Sequence, residues 1–236
     1  MRLKAWLLSR IGCIAAGAVL TMIVLAESVF PPWAPYFIIY ALLALVIPIV
    51  LKSYRFGAFR DVMRSGWKLT LCIFVIALAV DQGIFSWLYE WILAALGLGG
   101  DTFYSLNAAL IALAEKAAVK FNITQDMAML LYALFVLIWA PIGEELFYRG
   151  YIQETLRKCN SFKVSALVSA GFFGIRHMTH LFFLWPDVPF VASCIWALST
   201  FVFGMFMSRL YEKTSSLYPV MLVHAGVNLI ELVLSI

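Results

Sequence analysis

The stretch WAPIGEELFYRGYIQETLR, residues 139–157, places two adjacent glutamates in an otherwise apolar run. An ionisable side chain inside a hydrocarbon layer is costly and is usually paired or functional. On a helix, Glu145 and Arg149 are four residues apart and share a face, so they can neutralise each other as an ion pair. Glu144 lies about 100° further round the helix and has no cation near it in the sequence. We therefore predict a structural carboxylate at Glu145 and a free carboxylate at Glu144, which burial would turn into a base.

The composition excludes a soluble globular protein. Of the 236 residues, 64% are hydrophobic and 13% are charged, whereas a soluble domain has about 25% charged residues. Residues 102–121 mix apolar and charged side chains and suit an interfacial helix. The sequence predicts an all-α polytopic membrane helix bundle, with one interfacial helix and about seven transmembrane helices, at residues 11–30, 33–51, 69–96, 127–148, 164–184, 188–208 and 216–236.

The positive charges predict the orientation of the chain. If the N-terminus is cytoplasmic, most of the 17 Lys and Arg residues fall in cytoplasmic loops, as the positive-inside rule requires. The net charge of +4 then reflects this loop asymmetry and contact with the lipid bilayer, and we expect no nucleic-acid partner. Because the chain is short, we expect an integral protein of a prokaryotic cell membrane. The four cysteines are scattered, so no disulfide is predicted.

Polar residues that can take part in chemistry collect in the last four apolar runs. All three histidines, His177, His180 and His224, lie there, and Asn228 follows His224 by about one helical turn. The diacid, His177 and His224 each lie roughly 16–21 Å along a helix from a basic flank. They can therefore meet in one layer, which we expect to open toward the cytoplasm. Because these residues collect in the last four apolar runs, we predict two parts of the chain. Residues 1–126 form the N-terminal helices with the interfacial segment, and residues 127–236 form a catalytic four-helix core.

Two more ionisable residues, Asp81 and Arg176, interrupt apolar runs. Intramembrane charges of this kind mark substrate or proton contacts, or they pair with one another. Asp81 is therefore interpreted either as a functional contact or as a partner of Arg176 or a polar lining residue.

The residue set admits several chemistries. It lacks the HExxH signature of a zinc protease, although a metal held by Glu144, His177 and His224 stays open, and no serine or cysteine has the surroundings of a nucleophile. Direct activation of water remains, because a carboxylate in a dry pocket can accept a proton from water and a facing histidine can orient that water. His224 and Asn228 can supply two hydrogen-bond donors to the resulting oxyanion. The set is thus sufficient for peptide hydrolysis without a metal or another cofactor.

Three motifs follow in order on successive apolar runs, namely Glu144-Glu145-x-x-x-Arg149, Phe173-x-x-x-His177 and His224-x-x-x-Asn228. They resemble the motifs of the CAAX protease and bacteriocin-processing (CPBP, or Abi) family of glutamic-type intramembrane proteases. The resemblance implies that Glu144 and His177 activate water. It also implies that His224 and Asn228 stabilise the oxyanion and that the other two charged residues of the first motif form a supporting ion pair.

The sequence therefore predicts an intramembrane endopeptidase, similar to CAAX prenyl proteases, that hydrolyses a peptide bond of a membrane-associated protein or peptide. Three alternatives stay open. A non-catalytic membrane scaffold or regulator of the same fold would bind a partner through the same cavity. A metal-dependent protease would use the same residues. A proton-coupled transporter using Glu144 and Asp81 is less favoured, because no internal repeat is visible.

Overall fold

The computed structural model describes residues 2–29, 34–97, 115, 118–119, 121–184 and 190–234 of the chain. These residues form helices and contain no strand. The helices discussed below are α1 (Arg2–Leu7), α2 (Arg10–Val29), α3 (Ala34–Leu51), α4 (Phe59–Ala95), α5 (Gln125–Arg157), α6 (Phe162–Leu184), α7 (Phe190–Thr214) and α8 (Leu217–Leu234).

Within the described ranges, four helices are long and apolar enough to cross a membrane: α4, α5, α7 and α8. The helices α2 and α3 add shorter apolar stretches, at Arg10–Val24 and Ile39–Leu51. Each of the seven predicted runs overlaps one of α2 to α8, and the predicted class of a polytopic helical membrane bundle is confirmed. The count of seven spans stays a prediction, and the interfacial helix predicted at 102–121 falls almost wholly outside the described residues.

Two of the long helices are not regular α-helices throughout. A π-helical segment, Ala79–Phe85, interrupts α4, and two more, Phe135–Trp139 and Leu146–Gln153, interrupt α5 on either side of the diacid. Such segments are rare and are frequently found at functional sites. The helix α5 begins after Thr124, whose hydroxyl oxygen accepts a hydrogen bond from the backbone N–H of Met127 at 3.2 Å, as an N-cap does.

Close helix packing surrounds the last of these segments. The helices α6 and α7 approach so closely that a Cβ added at Gly174 would lie 2.7 Å from the carbonyl oxygen of Ala197, and one at Gly204 would lie 3.0 Å from Cβ of Ala170. Small residues permit such approaches between helices in membranes. The helix α2 packs on α6, α3 packs on Leu146–Gln153, and α4 packs on α8. Together these contacts place α5, α6 and α8 around a shared cavity.

The buried core joins the two predicted parts of the chain. Leu20 of α2 and Tyr40 of α3 share a cluster with Phe147 and Tyr151 of α5 and Phe173 of α6, and all five are buried. A second cluster brings residues of α4, α7 and α8 together around Met207 and Val220. The division at residues 126 and 127 stays a prediction.

Candidate active site

The diacid motif lies at the centre of the bundle, where α5 is buried on all sides. Glu145 and Arg149 are both 0% exposed, and Nη1 of Arg149 lies 3.1 Å from Oε1 of Glu145. The guanidinium also donates from Nη2 to the carbonyl oxygen of Gly204 at 3.1 Å and lies over the ring of Phe173, 4.7 Å from its centroid. The ion pair expected from the spacing is therefore present, and α6 and α7 hold it in place.

Glu144 is not the free carboxylate that we predicted. Its Oε1 lies 2.8 Å from Nη1 of Arg176, and both side chains are buried. The guanidinium of Arg176 also lies over the ring of Tyr40, 4.6 Å from its centroid. The prediction was wrong because it considered only cations on the same helix, and Arg176 comes from α6. A signal was present, since an arginine inside an apolar run must find a partner.

His224 lies between the two carboxylates. Its Nδ1 is 2.8 Å from Oε1 of Glu145, and its Nε2 is 3.9 Å from Oε2 of Glu144. Because Glu145 is already neutralised by Arg149, the simplest assignment is a neutral ring that donates Nδ1–H to Glu145. The unprotonated Nε2 then faces Glu144 across a gap.

His177 is joined to Glu144 through Arg176. Its Nδ1 lies 2.7 Å from the carbonyl oxygen of Phe173, which can only accept, so Nδ1 carries the proton. Its Nε2 lies 2.9 Å from Nη1 of Arg176 and accepts from that donor, since a guanidinium has no acceptor. One guanidinium nitrogen thus contacts both His177 and Glu144.

Asn228 contacts α5 through its side-chain amide. Its Nδ2 donates to the carbonyl oxygen of Val136 at 2.7 Å. In the π-helical segment Phe135–Trp139, the N–H of Ala140 donates to the carbonyl of Phe135, five residues back. The next donor in that register would be residue 141, which is a proline and has no N–H. Asn228 therefore satisfies a carbonyl that the helix cannot satisfy.

A cavity of about 340 Å³ adjoins these residues. From Glu144 it extends along α5 to Tyr132 and along α8 to Leu234. On the other side of Glu144, Phe147 and Tyr151 fill the space, and both are fully buried. All four predicted catalytic residues line the cavity, and Asp81, Ser199 and Glu231 line it further from Glu144. The charged and polar lining thus includes Asp81, Glu144, Arg176, His177, Ser199, His224, Asn228 and Glu231.

The direction of this cavity bears on the expected opening of the site toward the cytoplasm. It extends toward the ends of α5 and α8 that are remote from the basic loops, which follow Arg157 on α5 and precede Leu217 on α8. The extent of the cavity does not fix where it opens, so the cytoplasmic N-terminus and the opening toward the cytoplasm both stay predictions. Counting residues along a helix predicts how deep a residue lies in the membrane. It does not predict on which side of that residue a cavity forms, because this depends on where large side chains pack.

Asp81 belongs to the outer part of the cavity. Its Oδ1 accepts a hydrogen bond from Oγ of Ser199 at 2.7 Å, and its Oδ2 accepts one from the amide of Gln82 at 2.9 Å. The side chain of His180 lies outside the described residues. Sequence reasoning missed Ser199 as a partner of Asp81, because the two lie on different helices.

The arrangement argues against the metal alternative. Among the described residues, no group of three or more His, Cys, Asp and Glu side chains could hold a metal ion. The position between Glu144 and His177, where a metal would sit, holds the guanidinium of Arg176 instead. The fixed positive charge of Arg176 at this position would repel a metal cation.

One comparison with known proteins gives a match. Residues 126–230 match the family described as Type II CAAX prenyl endopeptidase Rce1-like. The matched segment runs through α5 to α8 and contains all three motifs. No curated protein and no solved structure matches the chain. The resemblance predicted from the motifs is confirmed over this segment.

Proposed function

Because residues 126–230 are Rce1-like, we propose that the protein is an intramembrane endopeptidase of glutamic type. Its substrate is a membrane-associated protein or peptide, which reaches Glu144 through the cavity. The observation that carries the proposal is the gap of 3.9 Å between Oε2 of Glu144 and Nε2 of His224. A water placed to one side of the line between them can donate a hydrogen bond of about 2.8 Å to each.

The reaction follows from this placement. The water oxygen attacks the peptide carbonyl carbon while Glu144 accepts one of its protons, as a general base does. The negative charge moves to the carbonyl oxygen, toward which Asn228 can offer the amide hydrogen that does not go to Val136. When the C–N bond breaks, the proton on Glu144 passes to the leaving nitrogen. The first products are a carboxylic acid, which keeps the second water proton, and an amine; transfer of that proton to the amine leaves a carboxylate and an ammonium ion.

The remaining residues of the predicted set hold these groups in position. Glu145, neutralised by Arg149, fixes the tautomer of His224 so that Nε2 faces the water. His177, fixed by the carbonyl of Phe173, accepts from Arg176 and orients it. In this proposal His224 takes the place at the water that the resemblance implied for His177, and His177 acts by orienting Arg176.

The test is cleavage of prenylated and unprenylated membrane peptides of the CAAX type by purified protein in liposomes. We expect Glu144→Gln to lower the rate about 10²- to 10⁴-fold, the usual contribution of a general base. The matched control is Glu212→Gln, which removes a carboxylate of the partly exposed pair with Arg157 and should cleave like wild type. A strong chelator should leave cleavage unchanged.

Three outcomes would count against the proposal. Cleavage by Glu144→Gln at the wild-type rate would remove Glu144 from the reaction. Loss of cleavage with chelator alone would restore the metal-dependent alternative. Peptide binding without cleavage, equal in wild type and Glu144→Gln, would favour the scaffold.

A further inference from the structure

Arg176 lies outside the three motifs, yet its guanidinium contacts the carboxylate of Glu144. It is 4% exposed, and the same atom, Nη1, lies 2.8 Å from Oε1 of Glu144 and 2.9 Å from Nε2 of His177. Its guanidinium is held from a third direction by the ring of Tyr40. Contacts with α3, α5 and its own helix thus fix its position.

We propose that Arg176 is a positioning residue that keeps the Glu144 carboxylate ionised and turns Oε2 toward the attacking water. The proposal rests on the proposed function, because it concerns the base of that reaction. A carboxylate has two oxygens, and here they are divided between two tasks. Oε1 is held by the arginine, so Oε2 is left to face Nε2 of His224.

The surroundings of Glu144 explain why a cation is needed there. Burial by itself favours the neutral acid, and a neutral acid cannot accept a proton from water. Arg149 is already neutralised by Glu145, so it leaves Glu144 without a partner on α5. Arg176 supplies the matching charge from α6. The two glutamates and two arginines then form two neutral pairs with His224 between them.

Other titratable groups also face Glu144, and none of them can replace this charge. Phenol side chains near it carry no charge near neutral pH, and the acids at the far end of the cavity would oppose ionisation. The groups around Glu144 are Tyr40 from α3, Tyr132, Tyr148 and Arg149 from α5, and His224 from α8. Asp81 and Glu231 line the same cavity further away.

The test compares Arg176→Gln with Arg176→Lys, and Arg157→Gln is the control because Arg157 contacts Glu212 outside the cavity. The first readout is the pH dependence of kcat/KM on a membrane peptide. Loss of an adjacent opposite charge should move the acid limb upward by roughly 1–3 pH units in Arg176→Gln. Arg176→Lys, which keeps a charge, should retain the wild-type limb with a lower kcat, and the control should match wild type in both.

The second readout does not need activity. Infrared difference spectra recorded during a pH titration report the protonated carboxyl band of Glu144, identified as the band that Glu144→Gln abolishes. In Arg176→Gln this band should appear at higher pH than in wild type. If Arg176→Gln does not fold, Arg176→Lys serves as the test. Lysine keeps the positive charge, so an upward shift of the acid limb of kcat/KM in Arg176→Lys would contradict a role for that charge.

The two readouts separate this inference from the proposed function. If both the acid limb and the infrared band of Arg176→Gln stay at their wild-type positions, the inference about Arg176 fails while the protease can stand. If wild type cleaves nothing but the band moves, the protease fails and the coupling of Arg176 to Glu144 stands.

Discussion

The variant Glu145→Gln tests the charge balance of the core most directly. Oε1 of Glu145 contacts both Nη1 of Arg149, at 3.1 Å, and Nδ1 of His224, at 2.8 Å. A glutamine has nearly the same shape but no charge, so it leaves the cation of Arg149 fully buried and uncompensated. Removing one partner of a buried ion pair costs about 3–5 kcal/mol. We expect the free energy of unfolding to fall by that amount.

The chain offers a matched control in Glu212→Gln. Glu212 also pairs with an arginine, with Nη2 of Arg157 2.9 Å from its Oε1, but these side chains are 22% and 32% exposed. Water can solvate whichever charge is left, so an exposed pair contributes only about 0–1 kcal/mol. The two variants make the same chemical change, and only burial differs between them.

A third variant separates charge from packing. Removing both charges, in Glu145→Gln with Arg149→Met, takes away the isolated cation, and replacing a whole buried pair is often close to neutral. The double variant should therefore be more stable than Glu145→Gln alone. The assay is denaturant unfolding of each purified variant in the same detergent micelle. A loss in Glu145→Gln no larger than in Glu212→Gln, or no recovery in the double variant, would refute the reasoning.

Three further predictions concern packing, hydrogen bonding and orientation. Gly204→Ala should lower the free energy of unfolding by about 1–3 kcal/mol, because the new Cβ would lie 3.0 Å from a neighbouring Cβ and 3.2 Å from the buried guanidinium of α5. Gly171→Ala, with nothing within 4 Å, should be neutral or more stable, and equal effects of the two in thermal unfolding would contradict the prediction. Asn228→Ala should cost about 1–3 kcal/mol by leaving a π-segment carbonyl unpaired. Adding Pro141→Ala restores an N–H in the register and should recover part of this loss, so a double variant as unstable as the single would argue against our account of that carbonyl. Cys159, exposed in the basic loop after α5, should react with an impermeant maleimide only after cells are opened, and labelling of intact cells would reverse the orientation predicted from the charges.

Part of the site could be predicted because it is local along the chain. Spacing of four residues on one helix predicted the pair of Glu145 and Arg149, and no other contact is needed to bring them together. Apolar length predicted the helical bundle, since backbone groups in a bilayer must be satisfied within the helix. The three motifs predicted the family that residues 126–230 match.

The sequence by itself thus determined the helical class, the apolar runs and the ion pair within α5. Only the tertiary structure decided how those residues are paired and where the cavity lies. Arg176 reaches Glu144, and Asn228 reaches Val136, across helix interfaces, and Phe147 and Tyr151 block one side of the site. The physical reason is that contacts within a helix depend on a fixed rise and turn per residue. Contacts between helices depend on packing, which here includes the close approach of α6 and α7 at Gly174 and Gly204.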